Sequence, residues 1–188
     1  MAELAPAASP PPNVSSAVDA IKMRRSLGRY PTGVTLVTAA TDTGNAALVM
    51  GTFSSVSLDP PLIQLMPMKT SRTWAEIERN GKFSVNILAN SQQRLCRIVS
   101  TRQADPYRSE AWSLSKHGQP HFHGCVAWID CDVAQVIEAG DHMIILGSVL
   151  DFKDGTDGAP LVFCQGQFGT FASSAAASIN ARAVEDWF

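Results

Sequence analysis

The sequence predicts a mainly β domain, an antiparallel barrel of about six strands with short helices inserted between them. Runs rich in β-branched residues, such as 33–40, alternate with turn segments that contain Gly, Asp and Pro. An apolar fraction of 45% and a charged fraction of 17% indicate a globular chain, and 188 residues suffice for one hydrophobic core. We expect a disordered Ala/Pro-rich tail at 1–14, a folded domain at 15–171 and a C-terminal tail at 172–188.

The individual elements follow from periodicity and from start and stop signals. Residues 83–87 alternate between apolar and polar side chains, which is typical of a half-buried strand. Residues 101–124 are polar and contain three of the four His, which favours a long loop. Helices are predicted over 15–29, 71–80 and 91–100. Further strands are predicted over 33–40, 46–56, 62–66, 126–138, 142–152 and 161–164.

Charge and composition exclude several classes of protein. A net charge of -2 without a Lys/Arg cluster argues against a nucleic-acid-binding protein. No apolar run approaches the roughly 20 residues that span a bilayer, so no membrane partner is expected. The first residues lack the pattern of a secretory signal, which predicts a cytoplasmic protein. The four cysteines, Cys96, Cys125, Cys131 and Cys164, are therefore interpreted as buried free thiols.

Three segments are candidates for a functional site. The hydroxyl-rich segment 52–57 can hydrogen-bond the edge of a polar heterocycle, or can be ordinary strand Ser and Thr at a barrel rim. Segment 69–73 precedes a predicted helix, so it is either a phosphate site at a helix N-terminus or a helix capped by Ser71. His142 follows a Gly-Asp turn, where it can contact a substrate or simply lie at the surface.

Other chemical signatures are missing from the sequence. There is no nucleophile elbow, no zinc-protease helix, no P-loop and no Gly-rich dinucleotide motif after a strand. His117, His121, His123 and Cys125 fit no standard zinc spacing and are interpreted as loop residues, so no metal site is predicted. Redox chemistry in this chain would therefore depend on a bound organic cofactor.

Six short motifs occur in an order and spacing that is specific as a set. They are Arg25–Val34, Thr52–Leu62, Ser71–Thr73, Phe83–Leu88, Gly140–His142 and Pro160–Phe163. Together they resemble the flavin reductase family of two-component flavin-dependent monooxygenases, whose fold is the FMN-binding split barrel. The resemblance implies a six-stranded antiparallel split β-barrel with Greek key topology and short flanking helices.

The resemblance also implies an activity and its partners. Members of the family are NAD(P)H:flavin oxidoreductases, which reduce FMN or FAD with hydride from NADH or NADPH and supply the reduced flavin to a partner monooxygenase. A homodimer is expected, because these barrels bind flavin near the subunit interface. The alternatives are a non-catalytic flavin- or haem-binding module, and an oxidase similar to pyridoxamine-phosphate oxidase. The lack of a dense Arg/Lys set for a substrate phosphate counts against the oxidase.

The family motifs carry site residues over to this chain. The expected contacts with the flavin ring and ribityl chain are Val49, Met50, Gly51, Thr52, Phe53, Ser55, Val56 and Ser57. Lys69, Thr70, Ser71, Arg72 and Thr73 match the phosphate corner, Asn86 lies in the strand whose polar face approaches the flavin, and His142 is expected beside the nicotinamide. Family members often have Thr-x-Asn-Ser-Phe where this chain has Val49 to Phe53. Backbone groups near Gly51 are therefore expected to do more of the flavin binding.

Overall fold

The structure is a computed structural model that describes residues 18–172, and it confirms the prediction of a mainly β domain. The predicted tail at 1–14 lies outside the described residues, as does the predicted C-terminal tail beyond residue 172. The helices are α1 (Ala20–Leu27), α2 (Arg72–Asn80), α3 (Gln93–Thr101) and α4 (Pro106–Ser109), with a 3₁₀ turn at Asn90–Gln92. The strands are β1 (Thr32–Gly33), β2 (Thr35–Thr41), β3 (Gly44–Met50), β4 (Ser54–Leu58), β5 (Pro61–Leu65), β6 (Lys82–Ile87), β7 (Trp112–Leu114), β8 (Pro120–Phe122), β9 (Ala127–Ala139), β10 (His142–Asp154), β11 (Leu161–Cys164) and β12 (Gln167–Thr170).

The strands form three antiparallel sheets. The largest has seven strands in the order β3-β2-β6-β9-β10-β5-β4, so β3 and β4 are its edges. A three-stranded sheet has the order β1-β11-β12, and β7 pairs with β8 in a separate hairpin. The structure thus has more strands than the six predicted. One reason is that the predicted strand at 46–56 is interrupted at Gly51, where the chain leaves β3 before it begins β4.

The main hydrophobic core lies inside the seven-stranded sheet. Its buried side chains include Ala46 of β3, Val37 of β2 and Leu65 of β5. Strands β3 and β5 are far apart in the strand order, yet they contribute to one core, so the sheet curls around it. Trp74 and Ile77 of α2 are almost completely buried in the same core. The amphipathic helix α2 therefore closes this side of the sheet.

A second core lies on the other face of β2. It contains Leu36 of β2 with Leu95 of α3 and Leu161 of β11. Because side chains alternate along a strand, Val37 and Ala39 of β2 enter the first core and Leu36 enters the second. Strand β2 is thus buried on both faces, and α3 together with the small β1-β11-β12 sheet provides the outer layer.

The predicted loop at 101–124 is wrong, because this segment contains α4 and the β7–β8 hairpin. The hairpin lies across β2 and β6, where Thr38 Oγ1 donates to Pro120 O at 2.6 Å. Phe122 is completely buried in the second core. The hairpin strands are only three residues long and carry Pro and His, so their alternation is too short to distinguish from a polar loop.

Strand β6 is central rather than half-buried, which corrects the prediction from its alternating pattern. Phe83 and Val85 face the main core, as their apolar character suggests. Ser84 and Asn86 on the opposite face are also completely buried, because the β7–β8 hairpin covers them. The polar face of β6 therefore contacts protein instead of solvent.

The helices match their predictions to different degrees. Helix α2 begins after Ser71, whose Oγ accepts a hydrogen bond from Trp74 N at 3.2 Å, and ends at Gly81 with a φ of 74°. Helix α1 is shorter than predicted, because Asp19 caps it by accepting from Ile21 N and Lys22 N. No helix in residues 18–172 is long and apolar enough to cross a membrane.

Candidate active site

A cleft of about 420 Å³ opens where β3 ends and β10 begins. Its size falls within the range of pockets that hold small molecules and cofactors. The lining residues are Leu48, Val49, Met50, Gly51, Thr52, Met66, Pro67, Met68, Thr70, Ser71 and His142. One wall is thus the end of β3 with the turn after it, the floor is the segment that follows β5, and His142 completes the rim. Two predicted segments that are distant in sequence meet here.

Backbone pairing fixes the position of His142. Met68 forms an isolated antiparallel bridge with His142, Met143 N donates to Pro67 O at 2.9 Å, and Lys69 N donates to Asp141 O at 3.0 Å. The first residue of β10 is therefore tied to the segment that leads into α2. This pairing explains why the Gly-Asp-His turn and the predicted phosphate corner lie side by side.

The imidazole of His142 is oriented by its neighbour in sequence. His142 Nδ1 lies 2.7 Å from Asp141 Oδ1, and this hydrogen bond lowers the pKa of the Asp141 carboxyl. The side chain of His142 is 40% exposed. Since Nδ1 is engaged by a carboxylate, Nε2 is the ring nitrogen available to a molecule in the cleft.

The predicted phosphate corner is only partly assembled around the cleft. Thr70 and Ser71 line it, whereas Lys69, Arg72 and Thr73 are not among its lining residues. Lys69 Nζ instead lies 2.7 Å from Glu138 Oε2, which lowers the pKa of that carboxyl. Ser71 is the N-cap of α2, as one of the two interpretations of this segment predicted.

The first-turn amides of α2 remain relevant to anion binding. An α-helix cannot satisfy its first N–H groups internally, and Ser71 Oγ takes only the one from Trp74. The N–H groups of Arg72 and Thr73 therefore remain as donors next to the hydroxyls of Thr70 and Ser71. Capping and anion binding are compatible at this helix terminus.

Thr52 and Gly51 shape the wall of the cleft in different ways. Thr52 Oγ1 accepts a hydrogen bond from Met66 N at 3.0 Å, so this hydroxyl joins the turn after β3 to the end of β5. A Cβ built on Gly51 would lie 3.1 Å from Thr32 Oγ1, and the glycine leaves its peptide groups exposed at the surface. The absence of side-chain atoms at Gly51 lets a ligand approach the backbone closely.

The predicted contacts in and before β4 lie elsewhere. Phe53 packs against the main core, and Ser55, Val56 and Ser57 are not among the residues that line the cleft. They belong to the edge strand β4, where a bulge at Val56 interrupts the pairing with β5. Val56 is 46% exposed. Contact between β4 and a ligand in the cleft remains a prediction.

The predicted approach of the Asn86 side chain to a ligand is corrected by the structure. Asn86 is completely buried, and its Nδ2 donates to Leu36 O at 3.1 Å and to Thr38 Oγ1 at 3.0 Å. Its Oδ1 accepts from Phe122 N at 2.8 Å. The amide is fully used in joining β2, β6 and β8, so it has no free group for a cofactor.

Sequence reasoning missed the floor of the cleft. Met66, Pro67 and Met68 line the floor, and Met68 is 50% exposed. Leu48 of β3 is a further lining residue that the sequence did not indicate. A signal was present, because a Met-Pro-Met run directly precedes the Lys-Thr-Ser segment that sequence analysis singled out. Exposed Met side chains are polarizable and adapt to flat ring systems.

A second, apolar cleft of about 390 Å³ lies on the other side of the same turn. Val49, Met50 and Gly51 line both clefts, so this short segment forms the wall between them. The second cleft adds Val34 and residues from β1, α3, β11 and β12, among them Cys96, Phe163 and Phe168. The turn after β3 is therefore accessible from two sides.

The cysteines offer no reactive thiolate in this region. Cys96, Cys125 and Cys131 are buried free thiols, as predicted, and Cys164 is partly exposed. Burial raises the pKa of Cys125 and of Cys131 to about 12. Thiols with such values stay protonated near neutral pH, so these two serve packing rather than catalysis.

Comparisons with known proteins show the family to which this chain belongs. The family description "Flavin reductase like domain" matches residues 27–172. A flavin reductase from Pseudomonas putida is 42% identical over 161 residues, which are 85% of this chain and 95% of the relative. Nitrilotriacetate monooxygenase component B from Mycobacterium thermoresistibile has a similar structure, with a TM-score of 0.80 and 32% identity, covering 87% of this chain and 93% of that one.

A further solved structure contains ligands. NADH:FAD oxidoreductase SgcE6 from Streptomyces globisporus C-1027, in complex with NAD and FAD fragments, has a TM-score of 0.79 and 29% identity. The similarity covers 87% of this chain and 99% of that chain. Because the family description covers most of the sequence and a close relative matches along nearly its whole length, this chain belongs to the flavin reductase-like family.

Proposed function

We propose that this protein is an NADH-dependent flavin reductase that uses the cleft at Gly51 and His142. The observation that carries the proposal is the meeting of these two segments with the N-terminus of α2 in one cleft of about 420 Å³. The cleft offers apolar side chains, exposed peptide groups and an anion-binding helix end. A flavin nucleotide combines the same three needs, since it has a flat ring, a polar ring edge and a phosphate.

The residues of the cleft suit a flavin nucleotide in detail. Val49, Met50 and Met68 offer apolar surface for the ring faces, and the open backbone at Gly51 offers hydrogen bonds to the ring edge. The hydroxyls of Thr70 and Ser71 and the first amides of α2 suit the phosphate. The flavin supplies the redox chemistry by accepting hydride from the nicotinamide cofactor. The protein supplies binding, orientation and exclusion of water.

His142 is the residue we assign to the nicotinamide side of the cleft. Its ring is held by Asp141 Oδ1 and its 40% exposed side chain stands at the rim. A hydrogen bond or stacking contact from this imidazole would position the nicotinamide against the flavin. Since hydride transfer requires close contact between two rings, small errors in that position lower the rate strongly.

The choice of flavin depends on the same wall. Val49 and Gly51 replace the polar side chains that relatives often carry, so specificity for the ring edge comes from peptide groups. We propose that the chain accepts both FMN and FAD, because the recognising groups contact the parts that the two flavins share. The two accessible sides of the turn leave room for the larger nucleotide.

We further propose a homodimer in which α1 is covered by the partner subunit. Helix α1 has no buried residue, and Ile21, Met23 and Leu27 are 82%, 52% and 61% exposed. An isolated helix of this length is marginal in water, so its apolar residues need a covering surface. Size-exclusion chromatography with light scattering should give twice the chain mass, and a monomer would contradict this part of the proposal.

The reduced flavin is proposed to leave for a monooxygenase in the cytoplasm. The open cleft supports a flavin that exchanges with solvent, and the free cysteines fit a reducing compartment. A pull-down tests whether this protein binds the oxygenase that is encoded nearest to its gene. Stimulation of that oxygenase by this protein, NADH and flavin is the expected result.

The activity test measures NADH consumption by the purified protein. NADH consumption is expected to rise with added FMN or FAD and to saturate in both substrates. A protein that binds flavin tightly without consuming NADH would be a non-catalytic flavin module instead. A bound flavin that is reduced by an amine substrate and reoxidised by oxygen, without NADH, would favour the oxidase.

A further inference from the structure

A cluster of metal-ligating side chains lies away from the flavin cleft, between the β7–β8 hairpin and the main sheet. His117 lies in the hairpin turn, Asp130 in β9 and Asp151 in β10. One ligand atom from each of the three lies within 4.8 Å of the others. With metal–ligand bonds of about 2.0–2.2 Å, two ligand atoms of a tetrahedral Zn²⁺ ion lie about 3.3–3.6 Å apart, so a contraction of at most about 1.5 Å would bring all three into coordination distance.

Strand pairing puts the two carboxylates opposite each other. Asp151 is the direct cross-strand partner of Asp130, because a bulge between Val149 and Asp151 shifts the register of β10. Directly opposed side chains of an antiparallel pair lie on the same face, where like charges repel. Asp130 is only 2% exposed, so solvent screens its charge poorly. A cation between the two carboxylates would relieve this repulsion.

Two buried polar atoms of the cluster lack a hydrogen-bond partner. His117 Nε2 and Asp130 Oδ2 are inaccessible to solvent and make no hydrogen bond within residues 18–172. Buried polar atoms are almost always paired, and an unpaired one carries a free-energy cost. Both atoms belong to residues of the three-ligand group, so the same ion would satisfy them together.

The other carboxylate oxygen of Asp130, Oδ1, is held by a neighbouring side chain, as is common for a carboxylate that binds a metal. His121 Nε2 lies 2.8 Å from Asp130 Oδ1, and the His121 ring stacks on Trp128 at 5.6 Å between centroids. His121 thus fixes Oδ1, and Oδ2 is left without a hydrogen-bond partner and free to bind an ion.

Within the described chain, Lys116 is the only Lys or Arg that forms an ion pair with the three residues. Its Nζ lies 3.0 Å from Asp151 Oδ1, and its side chain is 66% exposed. A lysine so exposed can move aside at little cost, and Asp151 has a second oxygen. Lys116 makes no ion pair with the buried Asp130, so it does not neutralise the charge at the centre of the cluster.

We propose that His117, Asp130 and Asp151 bind a divalent first-row transition metal such as Zn²⁺, which joins the β7–β8 hairpin to β9 and β10. An imidazole with two carboxylates suits these metals better than Mg²⁺ or Ca²⁺, which prefer oxygen ligands alone. The hairpin covers the buried polar face of β6, so the ion stabilises the packing of the hairpin against the barrel. Sequence spacing gave no sign of this site, because its ligands come from three separate elements.

The test uses the full chain after treatment with a chelator, without flavin or NADH. Calorimetric titration with Zn²⁺ is expected to give one ion per chain. At a free concentration a hundredfold above the Kd, the Tm is expected to rise by about 5–10 °C. Titration with Mg²⁺ should give neither effect. Absence of stoichiometric Zn²⁺ binding would overturn the proposal.

Variants separate this site from adventitious binding. His117→Ala and Asp151→Asn are each expected to weaken Zn²⁺ binding by about tenfold or more, while circular dichroism confirms that both fold. His123→Ala is the matched control, because His123 lies near the same hairpin but contacts Ser113 instead of the cluster. Lys116→Met should bind Zn²⁺ at least as tightly as the parent. Equal loss in His123→Ala, or no loss in the two ligand variants, would contradict the proposal.

Discussion

Two polar regions of the same barrel differ in one respect, the number of hydrogen-bonding groups that remain free. Under the β7–β8 hairpin, the side chains of Asn86 and Thr38 are completely buried, and their polar groups form hydrogen bonds with neighbouring strands. In the cleft at the end of β3, His142 and Gly51 present an imidazole edge and peptide groups to solvent. The Asn86 and Thr38 side chains therefore join strands, whereas His142 and Gly51 can bind a ligand.

The difference shows why residue type alone misplaces a site. Asn86 and His142 are both polar residues in recognisable family motifs, and both were predicted to approach the cofactors. Only the tertiary cover decides between them, since the hairpin consumes the amide of Asn86 and leaves the imidazole of His142 accessible. A polar side chain indicates function when its hydrogen-bonding capacity exceeds what its neighbours use.

The largest expected effect is on stability, from Asn86→Ala. The substitution leaves Phe122 N–H and Leu36 O without their buried partner, which should cost about 3 kcal/mol in the free energy of unfolding. Urea unfolding of the two proteins measures it. Asn45→Ala, at an exposed position of β3, is the control and should change the free energy by about 0.5 kcal/mol or less. Equal stability of the Asn86 variant and the parent would show that the buried network carries little energy.

His142→Ala is expected to act on catalysis and to leave stability nearly unchanged. Loss of the positioning imidazole should lower kcat/KM for NADH by about tenfold to a hundredfold, while flavin affinity stays the same. Steady-state kinetics and flavin titration measure the two quantities. His123→Ala provides an imidazole deletion outside the cleft and should behave as the parent does. A weakened flavin affinity with normal NADH kinetics would move His142 to the flavin side.

Gly51→Asn tests whether the backbone replaces the missing side chain. An amide here adds a hydrogen-bonding group at the cleft wall, and Thr32 Oγ1 at 3.1 Å must yield slightly. One added hydrogen bond of about 1 kcal/mol predicts about fivefold tighter flavin binding. Gly33→Asn is the comparison, because a Cβ there meets nothing within 4 Å and Gly33 does not line the cleft. Weaker binding in Gly51→Asn would show that the ligand needs the space itself.

The pH dependence of stability is the smallest effect, and it concerns Asp130. Its pKa in the folded protein lies below the ordinary value of 3.8, because the hydrogen bond from His121 and its other bonds outweigh burial. Its contribution to stability is therefore present above about pH 3.8 and is lost as the pH falls through the lowered pKa. Urea unfolding of parent and Asp130→Asn between neutral and acidic pH should show a shallower acid decline in the variant. Parallel declines would exclude Asp130 as the group responsible.

The elements that sequence reasoning placed well are those whose signals are local. Helix α2 could be predicted because Ser71 caps it and Gly81 ends it, and β11 has the predicted bounds. The turn before His142 and the segment before α2 were identified for the same reason. Their meeting in one cleft was implied by the family resemblance and depends on the pairing of Met68 with His142, which no local pattern reveals.

The elements that were missed depend on contacts distant in sequence. Strands β7 and β8 have three residues each, and their place is determined by Thr38 and Asn86 on other strands. The cluster of His117, Asp130 and Asp151 is assembled by the same hairpin and by a bulge in β10. Neither the hairpin's burial nor the register shift has a signature in composition or spacing.

Anaerobic rapid mixing of NADH with flavin and this protein tests the proposed site most directly. The bleaching of the flavin absorbance should be much faster with the parent protein than without protein, and its rate should saturate with NADH. In His142→Ala the bleaching should be slower at an unchanged flavin affinity, while His123→Ala matches the parent. Bleaching by the parent no faster than in the protein-free mixture, or an unaffected His142→Ala, would contradict hydride transfer in this cleft.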